Sequence, residues 1–185
     1  MIYNLGNMIK IGVIGSGSMG KNHIRVCSEV ENINLVGVVD KDKKIAENIA
    51  KKFDIKAFFD YKEIIPEIDA AIVSTPTITH YNIAMDLLNN GKHVLVEKPI
   101  CDTIEKSTEL VKKAKKNNLV LAVGHIERHN PATKFVKETI DEGKFGELIT
   151  LTSKRVSNFP CRIKDVGVMK DLGIHDIDIM HFLAG

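Results

Sequence analysis

A chain of 185 residues, 44% of them hydrophobic, can bury one full core and begin a second, which argues against disorder. Its 26 basic and 24 acidic residues nearly cancel to a formal net charge of +2, too weak a field to make nucleic acid or a membrane the main partner, so a small-molecule ligand is expected. No apolar run nears the roughly 18 residues of a membrane span, and Met1–Lys10 lacks the pattern of a signal peptide; Cys27, Cys101 and Cys161 are odd in number and far apart, so a cytoplasmic protein with free thiols and no metal site is expected.

Met1–Asn7 reads as an appendage, because the regular pattern begins at Met8. From Ile9 to Val123 short apolar runs alternate with longer amphipathic stretches, as parallel strands buried on both faces do with their crossover helices. The predicted strands are Ile9–Ile14, Asn34–Val39, Ala57–Phe59, Ala70–Ser74, His93–Val96 and Leu119–Val123. The predicted helices are Met19–Val30, Asp42–Phe53, Ile78–Asn90 and Asp102–Asn117, with Gly91 closing the third and Asp102 capping the fourth opposite Glu105. The fold class is α/β, a doubly wound Rossmann sheet over residues 1–124. Residues 125–185 read as the beginning of an α+β substrate domain: a helix from Pro131 to about Glu142, a strand near Glu147–Ser157, and a helix from about Ile174 to Leu183.

Gly15-Ser16-Gly17-Ser18-Met19-Gly20 fits GxGxxG and stands where the physics needs it, directly after an apolar strand and at the start of a helix. The glycines permit a tight turn, close approach of a pyrophosphate and close helix–strand packing, while the helix start offers free N–H groups to the phosphates. The second strand ends at Asp40, 25 residues after Gly15, near the expected spacing of about 20. An acid there can accept from the ribose hydroxyls of NAD and repels the 2′-phosphate of NADP, so NAD is favoured. Lys41 and Lys43 stand close enough in sequence to soften that repulsion, which keeps NADP open.

Further polar residues fall at the strand ends. Ser74-Thr75-Pro76 follows the fourth strand with His80 beyond it, Glu97-Lys98-Pro99 follows the fifth, and Gly124-His125 the sixth. In a parallel sheet these are carboxyl ends, where ligands of this architecture bind.

These motifs, together with Asp171-Leu172-Gly173-Ile174-His175 and Asp178, resemble the glucose/fructose oxidoreductase, inositol dehydrogenase and MocA family from Met8 to the end. The resemblance implies an NAD(P)-dependent oxidoreductase acting on a secondary hydroxyl of a sugar, nucleotide sugar or cyclitol. By the same resemblance Lys98 and His175 flank that hydroxyl with Asp171 beside them, Glu97 and the Thr75–Pro76 turn border the nicotinamide ribose, and the Lys98–Pro99 peptide is cis. The chemistry agrees, because oxidising an alcohol needs a base that reaches its proton. His175 suits that role; Lys98 either stabilises developing alkoxide or, with its pKa depressed by burial, serves as the base itself. Asp171 and His175 are spaced i, i+4 and face the same way if a helical turn holds them.

The stretch Gly124–Pro131 resembles that of nucleotide-sugar 3-dehydrogenases in the family. His125, Arg128 and Arg155 are candidate substrate contacts, with the alternative that Arg128 pins the domain junction through carboxylates and carbonyls. His23, His129 and His181 read as ordinary surface or helix histidines. Family members continue past the last helix into a large sheet that covers the substrate pocket and often forms the oligomer interface, so a C-terminally shortened chain is expected, with a homo-oligomer as the full-length form. Val168-Met169-Lys170 also departs from the more glycine-rich approach of relatives, and Lys170 adds charge there or points to solvent. An NAD-dependent glycosidase of the same family and a non-catalytic nucleotide-binding fragment are the competing readings.

Overall fold

The computed structural model describes residues 8–156, 167 and 169–185, with no side chain for Lys170. The expected appendage Met1–Asn7, Cys161, Val168 and the role expected of Lys170 lie outside the described residues. The chain divides into two compact units, one ending at Val123 and the other starting at Gly124.

In the first unit β1 (Ile9–Ile14), β2 (Ile33–Val39), β3 (Lys56–Phe58), β4 (Ala70–Val73), β5 (His93–Val96) and β6 (Leu121–Val123) form one sheet in the order β3-β2-β1-β4-β5-β6. Every pair is parallel. Side chains alternate across it, so the two faces collect different residues. Val13, Val38 and Ile72 join Ile24 and Cys27 of α1 (Ser18–Glu29) and Ile49 and Ala50 of α2 (Lys43–Phe53). Ile14, Val39, Val73 and Val96 pack with Leu87 and Leu88 of α4 (Thr77–Asn89) and Leu110 and Ala114 of α5 (Ile104–Lys116).

Local chemistry sets the helix ends. The Asp42 side chain accepts from the N–H of Ile45 at the start of α2, and Gly91, with φ of +72°, turns the chain out of α4. Asp102 does not cap α5 as expected. Thr103 does, accepting from the N–H of Lys106, while Asp102 binds the Lys106 ammonium at 2.8 Å. The extended backbone at Thr103 starts the helix two residues later and leaves Asp102 a salt-bridge partner. One short helix was not predicted: α3 (Tyr61–Ile64) runs into a 3-10 turn, Ile65–Glu67, and both are too short to show an apolar period.

The second unit holds a 3-10 turn (Ile126–His129), α6 (Pro131–Asp141), a π-helical turn (Met169–Gly173) and α7 (Ile174–Ala184). Asn130 caps α6, accepting from the N–H of Ala132. The strand expected near Glu147–Ser157 is not formed by residues 147–156. An apolar run becomes a strand only by pairing its N–H and C=O groups with a neighbouring strand, and the described residues of this unit contain none.

Candidate functional site

Register places the nucleotide motif. Phe58, Val39, Ile14, Val73, Val96 and Val123 are successive partners across the sheet, each the last residue of its strand. The residues that follow, Gly15, Asp40, Ser74 and Glu97, therefore leave one carboxyl edge together. Gly15 turns there with φ of +94°, and a side chain at Gly20 would stand 2.0 Å from the Gly15 carbonyl oxygen, so α1 starts hard against the turn. At Gly17 the same test meets nothing within 4 Å. Ser18 is exposed beside it, Met19 is half-buried, and α1 has neither a side-chain cap nor an acidic residue in its first turn. Open space above unclaimed helix N–H groups is what a dinucleotide pyrophosphate requires, so these residues fit NAD.

Asp40 is joined to this turn. Its Oδ2 accepts from the backbone N–H of Ser16 at 3.0 Å and from the Ser16 hydroxyl, and its Oδ1 accepts from the N–H of Asp42 at 3.0 Å. Burial opposes the charge, yet these hydrogen bonds hold the carboxyl below its usual value. A carboxylate has about four acceptor positions. Both oxygens are engaged inside the chain, and the backbone N–H of Lys41 contributes as well. Lys43 lies 5.1 Å over the Phe59 ring.

The β4 and β5 ends are bound to each other. The Ser74 hydroxyl donates to the Gly15 carbonyl at 2.8 Å, and the Thr75 and Thr79 hydroxyls are 2.7 Å apart, with Pro76 exposed at the bend. His80, a cofactor-binding candidate from the sequence, is only 1% exposed. Its Nε2 lies 2.8 Å from the Thr75 carbonyl oxygen and its Nδ1 2.9 Å from that of Pro99. It thereby links the two loops. The Lys98–Pro99 peptide is cis, and Lys98 is half-buried.

Glu97 is buried, and sequence reasoning missed its partner. Its Oε1 is 2.7 Å from Nε2 of His23 in α1, and its Oε2 accepts from the N–H of Lys98 at 3.1 Å. Burial acts to raise the Glu97 carboxyl, but His23 and the Lys98 N–H together bring it below the ordinary value. The available signal was position: His23 follows Gly20 by three residues, in the second turn of α1.

In the second unit the candidate arginines are engaged by α7. Arg128 grips Asp178 with two nitrogens, Nε at 2.9 Å and Nη2 at 2.6 Å, and His125 Nδ1 lies 3.5 Å from the same carboxylate. That hydrogen bond raises the Arg128 pKa. Arg155 pairs with Asp176 at 3.0 Å, and the Ser153 hydroxyl donates to it at 2.9 Å; the arginine hydrogen bond lowers the Asp176 pKa. Asp171 lies in the π-helical turn, its N–H bonded to the Gly167 carbonyl, and His175 in the first turn of α7. Such expanded turns recur at functional sites because they re-aim side chains within a helix. His129 and His181 are exposed.

A groove of about 550 Å³ bordered by Lys10, Asn34, Lys56 and Glu67 lies at the amino ends of β1–β3, at the opposite end of these strands from Gly15 and Asp40. Among the described residues no three His, Cys, Asp or Glu side chains gather to hold a metal, and no helix is long and apolar enough to cross a membrane.

A parallel sheet in this order, with a glycine turn after β1 and an acid after β2, defines a dinucleotide-binding Rossmann protein. The chain belongs to the Gfo/Idh/MocA oxidoreductase family, whose NAD-binding Rossmann fold model matches residues 9–125. It is similar to UDP-N-acetylglucosamine 3-dehydrogenase of Acidithiobacillus ferrooxidans, 33% identical over 177 residues that make up 96% of this chain and 55% of that protein. The solved structure of that dehydrogenase superposes with a TM-score of 0.86 at 32% identity, over 96% of this chain and 57% of the other. Scyllo-inositol dehydrogenase of Lactobacillus casei, solved with NAD(H) and scyllo-inositol bound, gives a TM-score of 0.84 at 26% identity over 97% and 57%. The chain thus spans about half the length of the relatives it matches.

Proposed function

We propose that the chain carries the cofactor-binding part and the first catalytic residues of an NAD-dependent dehydrogenase that oxidises a secondary hydroxyl of a sugar, nucleotide sugar or cyclitol. The observation that carries this reading is the shared carboxyl edge of Gly15, Asp40, Ser74 and Glu97, with Lys98 next in the chain. When bound, NAD supplies the electron-pair acceptor.

The chain's own residues supply the rest. The Gly15–Gly20 turn and the start of α1 hold the pyrophosphate, and Asp40 accepts from the adenosine ribose and disfavours a 2′-phosphate. Ser74, Thr75, Pro76 and Glu97 border the nicotinamide end, with His80 setting the spacing of the loops behind them. Lys98 and His175 divide two tasks, removing the hydroxyl proton and stabilising the oxygen it leaves, and Asp171 orients the imidazole or the substrate. His125 stands beside Asp178, and the grip of Arg128 on that same carboxylate supports a pinning role for the arginine over direct substrate contact. Arg155, 35% exposed on its side chain, keeps surface for a polar ligand. Residues 1–124 are the cofactor domain in this reading and 125–185 the start of the substrate domain. The buried thiols of Cys27 and Cys101 suit a reducing cytoplasm, and the exposed apolar residues of the second unit suit a homo-oligomer in the complete protein.

The test is a panel of nucleotide sugars, simple sugars and cyclitols incubated with NAD and the complete reading frame, while reduced nicotinamide is followed by absorbance. Stoichiometric reduction with one of them is expected. Hydrolysis of a glycoside without net reduction would replace the dehydrogenase with a glycosidase.

A further inference from the structure

His23 has no part in the reading above, yet it touches the segment that carries Lys98. Its contact with Glu97, at 2.7 Å, lies in the range of a charge-assisted hydrogen bond, and the two side chains are only 17% and 7% exposed. A carboxylate so buried must be partnered. Glu97 spends one oxygen on His23 and the other on the backbone N–H of Lys98. The sheet does not make this link itself, because β4 stands between β1 and β5. The pair therefore ties the first turns of α1, where the glycine loop ends, directly to the end of β5. On the far side of Lys98 the Pro99 carbonyl is held by buried His80.

We infer that His23 is a positioning residue: through Glu97 it fixes the 97–99 segment relative to the phosphate-binding turn, and so sets where Lys98 stands against the bound dinucleotide. The inference rests on the proposed placement of Glu97 and Lys98 at the nicotinamide end. Without His23 the Glu97 carboxylate turns toward solvent or another donor, and the Lys98 N–H loses its acceptor. Displacement of a reacting group by about 1 Å costs on the order of 10²-fold in rate, so a partial shift is enough to be read.

The experiment compares His23→Leu, His23→Asn and His23→Gln. Asn carries its amide near the Nδ1 position and falls short of Glu97, whereas Gln brings an N–H donor to the place of Nε2. Calorimetric titration of the 185-residue chain measures NAD against ADP, which shares the glycine turn and Asp40 but lacks the nicotinamide end. Leu and Asn should weaken NAD about fivefold or more, because the Glu97 segment is no longer pre-organised for the nicotinamide end, and leave ADP within about twofold. In the complete reading frame both should lower kcat about tenfold or more with little change in KM for the alcohol. Gln should recover most of both losses. Parallel loss of NAD and ADP, unchanged NAD affinity, or failure of Gln to recover would overturn the inference. If Leu does not fold, Asn against Gln decides by the same criteria. Lys98→Met separates the two levels: an active Lys98→Met enzyme removes the proposed catalytic role of Lys98 on which the inference rests, whereas an inactive one beside a fully active His23→Asn enzyme removes only the role of His23.

Discussion

Asp40 Oδ2 receives both the backbone N–H and the hydroxyl of Ser16, so one carboxylate oxygen fastens the end of β2 to the glycine turn after β1. In the proposed reading, cofactor choice and the shape of the phosphate site share this side chain. Asp40→Ala should weaken NAD by about 10-fold or more, from loss of hydrogen bonds to a charged group, and should narrow the gap to NADP by removing the repulsion. Titration with both cofactors measures this, and unchanged affinity for both would show that Asp40 is not at the ribose. Ser16→Ala should free an acceptor position on Asp40 and shift the NAD to NADP ratio less than the aspartate change does.

In the complete reading frame Lys98→Met and His175→Ala should each lower turnover by about 10²-fold or more, as for loss of a general base or its electrostatic partner. NAD affinity should stay nearly intact. The double variant should lose less than the product of the two, because groups acting as one unit do not add. Single-turnover and steady-state rates check this, and near-normal turnover in both would end the catalytic assignment.

Arg128 and Asp178 separate pinning from substrate contact. Asp178→Ala should cost about 1–3 kcal/mol in denaturant unfolding, since it removes a buried acceptor from a half-exposed guanidinium. If Arg128 only pins, Arg128→Ala destabilises similarly and leaves the KM for substrate unchanged. A raised KM with unchanged unfolding assigns Arg128 to the substrate instead.

The Glu97 carboxyl is held below its usual value, so its contribution to stability has a definite sign. A group with a depressed folded pKa stabilises above its unfolded value and loses that contribution as pH falls through the folded one. Between neutral pH and the ordinary carboxylate range the stabilisation is complete, and it declines as pH drops below about 4.5. Glu97→Gln should show a shallower loss of stability in acid than the unaltered chain. Denaturant midpoints measured from pH 7 down to pH 3 would reveal it, and identical slopes would mean that Glu97 has no depressed folded value.

Ile149 is 90% exposed and Ile177 56%, with Phe135 and Phe145 also exposed in the same unit. The 185-residue chain should bind NAD yet associate in solution or bind a dye for apolar surface. Light scattering beside the dye decides it; a monodisperse, dye-silent monomer would show that these residues form no adhesive surface.

Much of the first unit was legible because its strands are buried on both faces and because Gly15 and Gly20 stand where a side chain has no room. The same reading failed where a pattern needs a distant partner. Ile149 and Leu151 have the composition of a strand, but composition cannot provide the neighbouring ladder. The partners of His23 and His80 escaped for a related reason: a histidine shows its chemistry only through what faces it, and Glu97 and Pro99 stand 74 and 19 residues away. Asp102 lost the cap to Thr103 by a single residue, which a sequence motif does not resolve.

The sheet order also bears on how such a protein changes over generations. Asp40 follows β2 and Lys98 follows β5, and in the sheet β1 and β4 stand between those two strands. The two ends nevertheless share one core, since Val39 just before Asp40 and Val96 just before Glu97 pack in the same cluster, and the glycine turn and Ser74 join them across the middle. Gly15 and Gly20, where a side chain would meet backbone oxygens at 2.7 Å and 2.0 Å, are accordingly the positions at this edge with the least room for change.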